Sequence, residues 1–322
     1  VKMNTPVIEA QGLSKDYGNG RGCRGITLSI GTGEAFGFLG PNGAGKSTFV
    51  KMLVGLIRPT GGQASIMGHT IGTLEARRHF GYLPELYRYQ EWLSGEEVLE
   101  LHAKLCGLDR TAAKKRIREL LDQVGIGLRG RDRVKHYSKG MQQRLELACA
   151  LLNDPQLVFL DEPSSALDPI GRMEVRQLLQ QLRRQGKTIF LNSHLLEDVE
   201  LLCDRVALLN NGQILHTGTV AEVLQEKTRW HLRVGGFTPF VLPWLTQMTG
   251  IPIGIAADMP LPPYSDAVWL EAELTDDEQA GWLNSLIVEQ GMTLYEVKKS
   301  KTRLDEWFKN TLSGLSHRGE RA

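Results

Sequence analysis

Three short runs carry residue types able to handle a phosphoryl group. In the first, GPNGAGKST from Gly40 to Thr48, glycines precede a Lys-Ser pair in the spacing G-x-x-x-x-G-K-[ST]. Such glycines let backbone N–H groups converge on phosphate oxygens without interference from Cβ atoms. The preceding run AFGFLG predicts a strand. Phe49, Met52, Leu53 and Leu56 predict one face of a following helix, with a stop at Arg58-Pro59-Thr60-Gly61-Gly62. A helix start at this point adds partial positive charge. Lys46 then reaches the terminal phosphates, and Ser47 offers an oxygen to Mg2+. The run predicts a site for a nucleoside triphosphate.

The second run, LVFLDEP (157–163), is a short apolar segment typical of a buried parallel strand. An Asp at its end, Asp161, suits ligation of Mg2+ directly or through water, and Glu162 beside it is placed to orient and deprotonate an attacking water. An Asn-Lys-x-Asp element, expected of a guanine-specific enzyme, does not occur in the chain. The third run, HYSKGMQQRLELACALL (136–152), joins a short polar segment to a helix. Ser138 is an N-cap candidate, Gly140 eases entry, and Leu145, Ala148, Cys149 and Leu152 form an apolar face. What the front of that helix holds is not written in the segment.

The elements that must position these runs follow from pattern and length. With 322 residues, two domains are expected. A net charge of +1 provides no bulk attraction to nucleic acid or anionic lipid, so phosphate binding has to be local. Cys23, Cys106, Cys149 and Cys203 are scattered, which argues against a disulfide framework and fits a reducing compartment. No stretch approaches the roughly 18 consecutive apolar residues of a membrane helix, and VKMNTPVIEA lacks the apolar core of a secretion signal. The expectation is a chain that neither crosses a membrane nor is exported by itself.

Strands are expected at VIEA, ITLSI and AFGFLG, with a mobile turn over Gly18–Gly25. Residues 96–124 read as helical. Further on come a helix near 170–185, the strand TIFLN (188–192), a helix at 195–202 and the strand RVALL (205–209). Alternation on this scale predicts a mostly parallel, helix-covered sheet. After Lys227 the pattern changes. WHLRV, a short helix over Phe240–Met248, IPIGIA, AVWLEAEL, a helix 276–290 capped by Thr275, and TLYEV give the β-α-β-β-α-β order of a ferredoxin-like domain, followed by a short helix 302–312. Trp230, Trp244, Trp269, Trp282 and Trp307 are expected mostly in core or interface.

GPNGAGKST, YSKGMQQR, LVFLDEP, SSALD (164–168) and NSH (192–194), in that order, resemble the nucleotide-binding subunits of ABC transporters, over about residues 5–225. The resemblance implies a P-loop NTPase fold with a RecA-like core sheet, an antiparallel β subdomain and a helical subdomain (about 86–145). This ATP-binding cassette would occupy 1–226, followed by a small α+β accessory domain over 227–322. It implies ATP and Mg2+ as ligands and a head-to-tail dimer with a second copy. Gly40, Pro41, Asn42, Gly43, Ala44, Gly45, Lys46, Ser47 and Thr48 would form the phosphate loop, and Tyr17 in KDYG would stack on adenine. Lys46, Glu162 and His194 would be catalytic, His194 contacting the γ-phosphate. Ser47, Asp161 and Glu85 would serve the metal. Asp168 would communicate with the partner copy, while also fitting a helix cap before Pro169.

The third run matches the family signature, usually Leu-Ser-Gly-Gly-Gln. Ser138 and Gly140 would therefore contact ATP held by the other copy. Three departures stand out: Tyr137, Lys139 and Met141 replace the usual residues. This form is similar to a branch whose members are mostly exporters paired with a separately made membrane subunit. Lys139 either assists phosphate contact or is merely solvated. GYLPE (81–85) places Glu85 where most relatives have a Gln, with Gln90 as a rival for that role. The expected function is an ATPase subunit powering transport, with a lean to export, through an integral membrane permease. Its expected place is cytoplasmic, on the inner face of the membrane through that permease. The alternative is a non-transport ABC ATPase acting on ribosome or nucleic acid. The single cassette and near-neutral charge weigh against it, and KKSKTR (298–303) reads as a solvated face.

Overall fold

The computed structural model describes residues 6–312, apart from positions 19, 87, 166, 226–227, 257–258, 263–265, 302–303, 306 and 310. The chain divides into two compact units, Val1–Val220 and Ala221–Ala322. The first begins with β1 (Pro6–Asp16), β2 (Gly22–Gly31), β3 (Ala35–Leu39) and α1 (Lys46–Leu53). β4 (Gly61–Ile66), β5 (His69–Thr70), the short α2 (Leu74–Arg77) and β6 (Phe80–Leu83) come next. A helical stretch follows, α3 (Gly95–Leu105), α4 (Arg110–Gln123) and α5 (Lys139–Leu151). Then come β7 (Leu157–Asp161), α6 (Pro169–Arg184), β8 (Thr188–Asn192), α7 (Leu196–Leu202), β9 (Arg205–Asn210) and β10 (Gln213–Thr219), while α8 (Val220–Gln225) begins at the boundary and belongs from Ala221 on to the second unit.

β3, β7 and β8 are buried at every residue, which is why their sequences are apolar runs and not alternations. They lie inside a six-stranded sheet of order β10-β9-β3-β8-β7-β6. All its neighbours pair in parallel except the edge strand β10. Phe36, Phe38, Phe49, Phe159 and Phe190 are fully buried in this unit. The Phe38 ring stacks on Phe49 of α1 at 5.0 Å between centroids, which fixes α1 against the sheet. The antiparallel sheet β2-β1-β4-β5 shares the same apolar core through Ile8, Leu13, Ile26 and Ile66. In a parallel sheet of this kind, ligands bind beyond the carboxyl ends of the strands, and the loops after β3, β7 and β8 all leave at that end.

The second unit contains β11 (Thr228–Gly235), α9 (Val241–Thr249), β12 (Ile253–Ile255), β13 (Val268–Glu273), α10 (Asp277–Glu289) and β14 (Thr293–Lys301). Its sheet has the order β12-β13-β11-β14, antiparallel throughout, which is the ferredoxin-like arrangement predicted from element order. Trp230, Leu232 and Val234 alternate along β11 and share a core with Leu270, Ala272, Leu283 and Ile287. Pro243 falls in the first turn of α9, where its missing N–H is not needed.

Several expectations are corrected. Gly22 to Gly25 belong to β2 and pair with β1, so the glycine-rich turn is shorter than read. The helix after the phosphate loop ends at Leu53, and Leu56 is exposed because Gly55 has already turned the chain. The single helical stretch 96–124 is two helices, the second started by Asp109, whose carboxylate accepts from the Thr111 and Ala112 N–H groups. The cap of α10 is Asp276, accepting from Gln279 N at 2.8 Å, and not Thr275. Trp230, Trp269 and Trp307 are buried, but Trp282 is 46% exposed. In the predicted terminal helix 302–312, residues 304–305, 307–309 and 311–312 are helical, and the remaining positions lie outside the described residues.

α5 approaches β6 so closely that a Cβ on Gly81 would lie 1.8 Å from the Ala150 carbonyl oxygen. Backbone cannot rotate away from such a clash. Gly81→Ala is therefore expected to lower unfolding free energy by about 1–3 kcal/mol in urea denaturation, whereas an unchanged midpoint would show that the contact is looser than described.

Candidate active site

The phosphate loop, the strand ends and one tyrosine face a single cleft of about 780 Å3. Asn42, Gly43, Gly45, Lys46, Ser47 and Thr48 line it, together with Tyr17, Glu85, Asp161 and Glu162. Gly45 caps α1 with φ +104, and a Cβ there would meet the Gly22 carbonyl oxygen at 2.5 Å, so glycine is required on both counts. Because α1 starts at Lys46, the first-turn residues Lys46, Ser47 and Thr48 stand at the cleft with the helix N-terminus behind them. Gly40, Pro41 and Ala44 hold the loop but do not line the cleft. Ala44 is buried, while the Lys46 ammonium donates to the carbonyls of Gly40 (2.8 Å) and Pro41 (3.2 Å). Burial pulls the Lys46 pKa down, and the carboxylates of Glu162, Asp161 and Glu85 oppose that.

Asp161 is the last residue of β7, buried and paired in register with Asn192 of β8. Burial raises its pKa from 3.8 to about 6, opposed by the hydrogen bond from the Asn192 amide at 2.5 Å and reinforced by Glu85 and Glu162. Neighbouring carboxylates that raise the cost of ionising Asp161 favour a cation beside it. A hard ion such as Mg2+ takes oxygen ligands, commonly one or two carboxylates completed by phosphate oxygens and water. Ser47, Asp161 and Glu85 offer that donor set along one wall. Among the described residues no group of three or more His, Cys, Asp or Glu forms a metal cage of its own.

Glu162 leaves β7 with φ +57, a left-handed conformation that is uncommon for a non-glycine residue. Its N–H donates to Asn192 O at 2.8 Å and its carbonyl accepts from Gln143 Nε2 at 2.9 Å. One carboxylate oxygen accepts the His194 N–H at 2.9 Å, and the other lies 2.7 Å from His194 Nδ1. Burial raises the Glu162 pKa, with His194 and Lys46 opposing. His194 thus reaches the site through Glu162 and does not itself line the cleft.

Asp168 caps α6, its carboxylate accepting from Gly171 N at 2.7 Å, with Pro169 as the first helical residue. Ser138 caps α5 and accepts from Met141 N at 3.2 Å. Neither Ser138 nor Gly140 lines the cleft. Tyr137 is buried and donates to the Arg129 carbonyl at 2.8 Å, so this departure from the signature anchors the segment's start to the preceding loop. Of Glu85 and Gln90, Glu85 lines the cleft and Gln90 does not. Sequence reasoning missed Arg21 and Asn192, which also line it, and Gln143, which holds Glu162. Asn192 is the first residue of the NSH motif, of which only His194 was given a role, whereas Arg21 lies in the turn read as mobile.

The sequence pattern of the family described as ABC transporter matches residues 23–165. An uncharacterized ABC transporter ATP-binding protein of Nostoc sp. is 41% identical over 262 residues, 78% of this chain and 78% of that protein. The linearmycin resistance ATP-binding protein of Bacillus subtilis is 36% identical over 234 residues, 72% of this chain and 73% of that protein. Among solved structures, the dimeric post-hydrolysis state of an ATP-binding cassette bound to ADP and Pi is 25% identical. It covers 66% of this chain and 98% of that one, with a TM-score of 0.61.

The load on Asp161 has a measurable sign. Its native pKa of about 6 lies above the ordinary 3.8, so its ionisation costs stability above pH 4 and costs the full amount above pH 6. In chelator and without nucleotide, Asp161→Asn is expected to stabilise the chain by about 1–3 kcal/mol at alkaline pH. That gain should shrink as pH falls toward the ordinary carboxylate value. Denaturation midpoints of the two proteins across pH check this, and an equal or lower midpoint for the variant at alkaline pH would contradict it.

Proposed function

The chain belongs to the ABC transporter ATP-binding proteins, a family that hydrolyses ATP, and from that premise we propose that it drives solute export through a separate membrane permease by ATP-driven closure of a head-to-tail dimer. ATP-binding subunits of ABC transporters work as dimers with membrane permease partners. Among the described residues no helix is long and apolar enough to cross a membrane. The proposed place of work is the cytoplasmic face of the membrane, held there by the permease. The lean to export draws on the relative named for linearmycin resistance and on the Tyr-Ser-Lys-Gly-Met signature.

One observation carries the reading: Lys46, Ser47, Asp161 and Glu162 share one cleft, and the Glu162 carboxylate is held by His194 from both its backbone and its ring. In the proposed reaction the loop amides and Lys46 hold the β- and γ-phosphates, and Tyr17 offers its ring to the adenine. Ser47, Asp161 and Glu85 would hold Mg2+, which when bound would neutralise part of the charge on the phosphate oxygens. Glu162 orients a water and takes its proton as the water oxygen attacks the γ-phosphorus, and the bond from that phosphorus to the bridging oxygen breaks with ADP as the leaving group. The raised pKa of Glu162, caused by burial, makes it a stronger base than a solvated carboxylate. His194 keeps the carboxylate aimed, and contact of its ring with the γ-phosphate would require it to move from its place beside Glu162 into the cleft. Ser138 and Gly140, remote from their own cleft, would close on the nucleotide of the second copy, with Asp168 signalling between the copies. A helix start contributes typically about 0.3–1 kcal/mol toward an anion, weak enough for a clamp that must reopen.

Glu162→Gln is expected to bind ATP as the parent does, to lower turnover by about 10²–10⁴-fold, and to accumulate an ATP-bound dimer. Phosphate release and size-exclusion chromatography with ATP measure both, and parental turnover in the variant would remove Glu162 from the role of base.

A further inference from the structure

Gln143 lies on α5, five residues after the Ser138 cap, and is 4% exposed. A buried amide costs stability unless its polar atoms are paired, and a Leu or Met would fill the same space at no such cost. Here the pairing is partial. Nε2 donates to the Glu162 carbonyl at 2.9 Å, while Oε1 has no hydrogen-bond partner. The one bond that Gln143 makes is therefore the one that ties α5 to Glu162.

That tie differs in kind from the others on Glu162. The N–H bond to Asn192 O and both bonds to His194 come from the end of β8 and the residues after it. Ser165, whose N–H and hydroxyl donate to the Glu162 carbonyl at 3.3 and 3.1 Å, belongs to the same loop as Glu162. Gln143 alone among these partners stands on the helix that Ser138 begins. Pinning the Glu162 carbonyl fixes the peptide plane after it, and with it the left-handed turn that aims the carboxylate. Five residues of α-helix span only about 7.5 Å along a stiff axis, so a displacement at the Ser138 end is carried to Gln143 with little loss.

We infer that Gln143 is a positioning residue that couples the placement of α5 to the aim of Glu162. The inference rests on the proposed role of Glu162 as base. Through it, engagement of the α5 front by a phosphate on the second copy would be reported within the same chain to its own Glu162 peptide. Hydrolysis in one cleft would then depend on closure at the other.

Two substitutions of similar size separate positioning from packing. Gln143→Met removes the donor, whereas Gln143→Glu restores a donor only when its carboxyl is protonated. Binding of a fluorescent ATP analogue and steady-state phosphate release are measured for both across pH. Gln143→Met is expected to bind the analogue within about twofold of the parent and to lose about tenfold or more in kcat. The turnover ratio of Gln143→Glu to Gln143→Met is expected to rise several-fold as pH falls from about 8 to about 6, because burial raises the introduced carboxyl into that range. Taking the ratio cancels the titration of Glu162 itself. Parental kcat in Gln143→Met, a ratio that stays flat with pH, or loss of analogue binding in Gln143→Met would each overturn the coupling. Glu162→Gln run alongside keeps the two readings apart. Parental turnover in that control removes the base, whereas its expected loss together with parental turnover in Gln143→Met removes only the coupling.

Discussion

The catalytic end of this molecule depends on how one residue's backbone is held. Glu162 leaves a fully buried strand and turns at once into a left-handed conformation, which costs of order 1–3 kcal/mol unless its surroundings dictate it. They do so from several directions. Asn192 takes its N–H, Gln143 and Ser165 donate to its carbonyl, and His194 grips its carboxylate. The pairing that makes this possible is Asp161 opposite Asn192 in the parallel register of β7 and β8. A one-residue slip would turn Asp161 to the other face of the sheet and separate Glu162 from His194. The chemistry therefore rests on strand register first and on side chains second.

A second constraint is electrostatic. Asp161 and Glu162 are largely buried, Glu85 lies nearby, and Lys46 is the cationic side chain of the cleft that acts on both Asp161 and Glu162. Such a site is held together at a cost to stability that a bound cation would offset. The same burial sharpens every charge that remains, because interactions weaken less in a low-dielectric cleft than in water. Stability and function pull in opposite directions at this position, as is common where charge must be kept ready.

The parts legible in the sequence were those whose chemistry lies in consecutive residues. GPNGAGKST and LVFLDEP announce a phosphate loop and a strand-end acid pair because neighbours in the chain are neighbours in the cleft. β7 and β8 were readable as buried strands from unbroken apolar runs, and the alternation of Trp230, Leu232 and Val234 marked β11. What stayed hidden depends on packing between distant segments. Gln143 looked like one more polar residue of an amphipathic helix until α5 was seated on β6 through Gly81. Leu56 continued the helical period in sequence, but Gly55, with φ +73, ended the pattern before it. Asp276 and Thr275 are both good caps on paper, and only the backbone geometry selects Asp276. The polar placement of Glu85 at the cleft, against Gln90 away from it, likewise needed the fold of the segment after β6.

One chain thus presents a glycine-rich loop, an acid cluster and the held Glu162 carboxylate in one cleft, and a serine-capped helix start that does not line it. The account makes these two halves of chambers completed between copies. Mixed dimers test that most directly, with Lys46→Ala in one copy and Ser138→Arg in the other. If each helix start serves the opposite cleft, one chamber keeps both faces and the other loses both, so the mixed dimer should retain close to half the non-hydrolysable ATP analogue that the parent dimer retains. If Ser138 serves its own cleft, each chamber carries one lesion, and retention of the analogue falling to the level of a dimer built of Ser138→Arg alone would contradict the account.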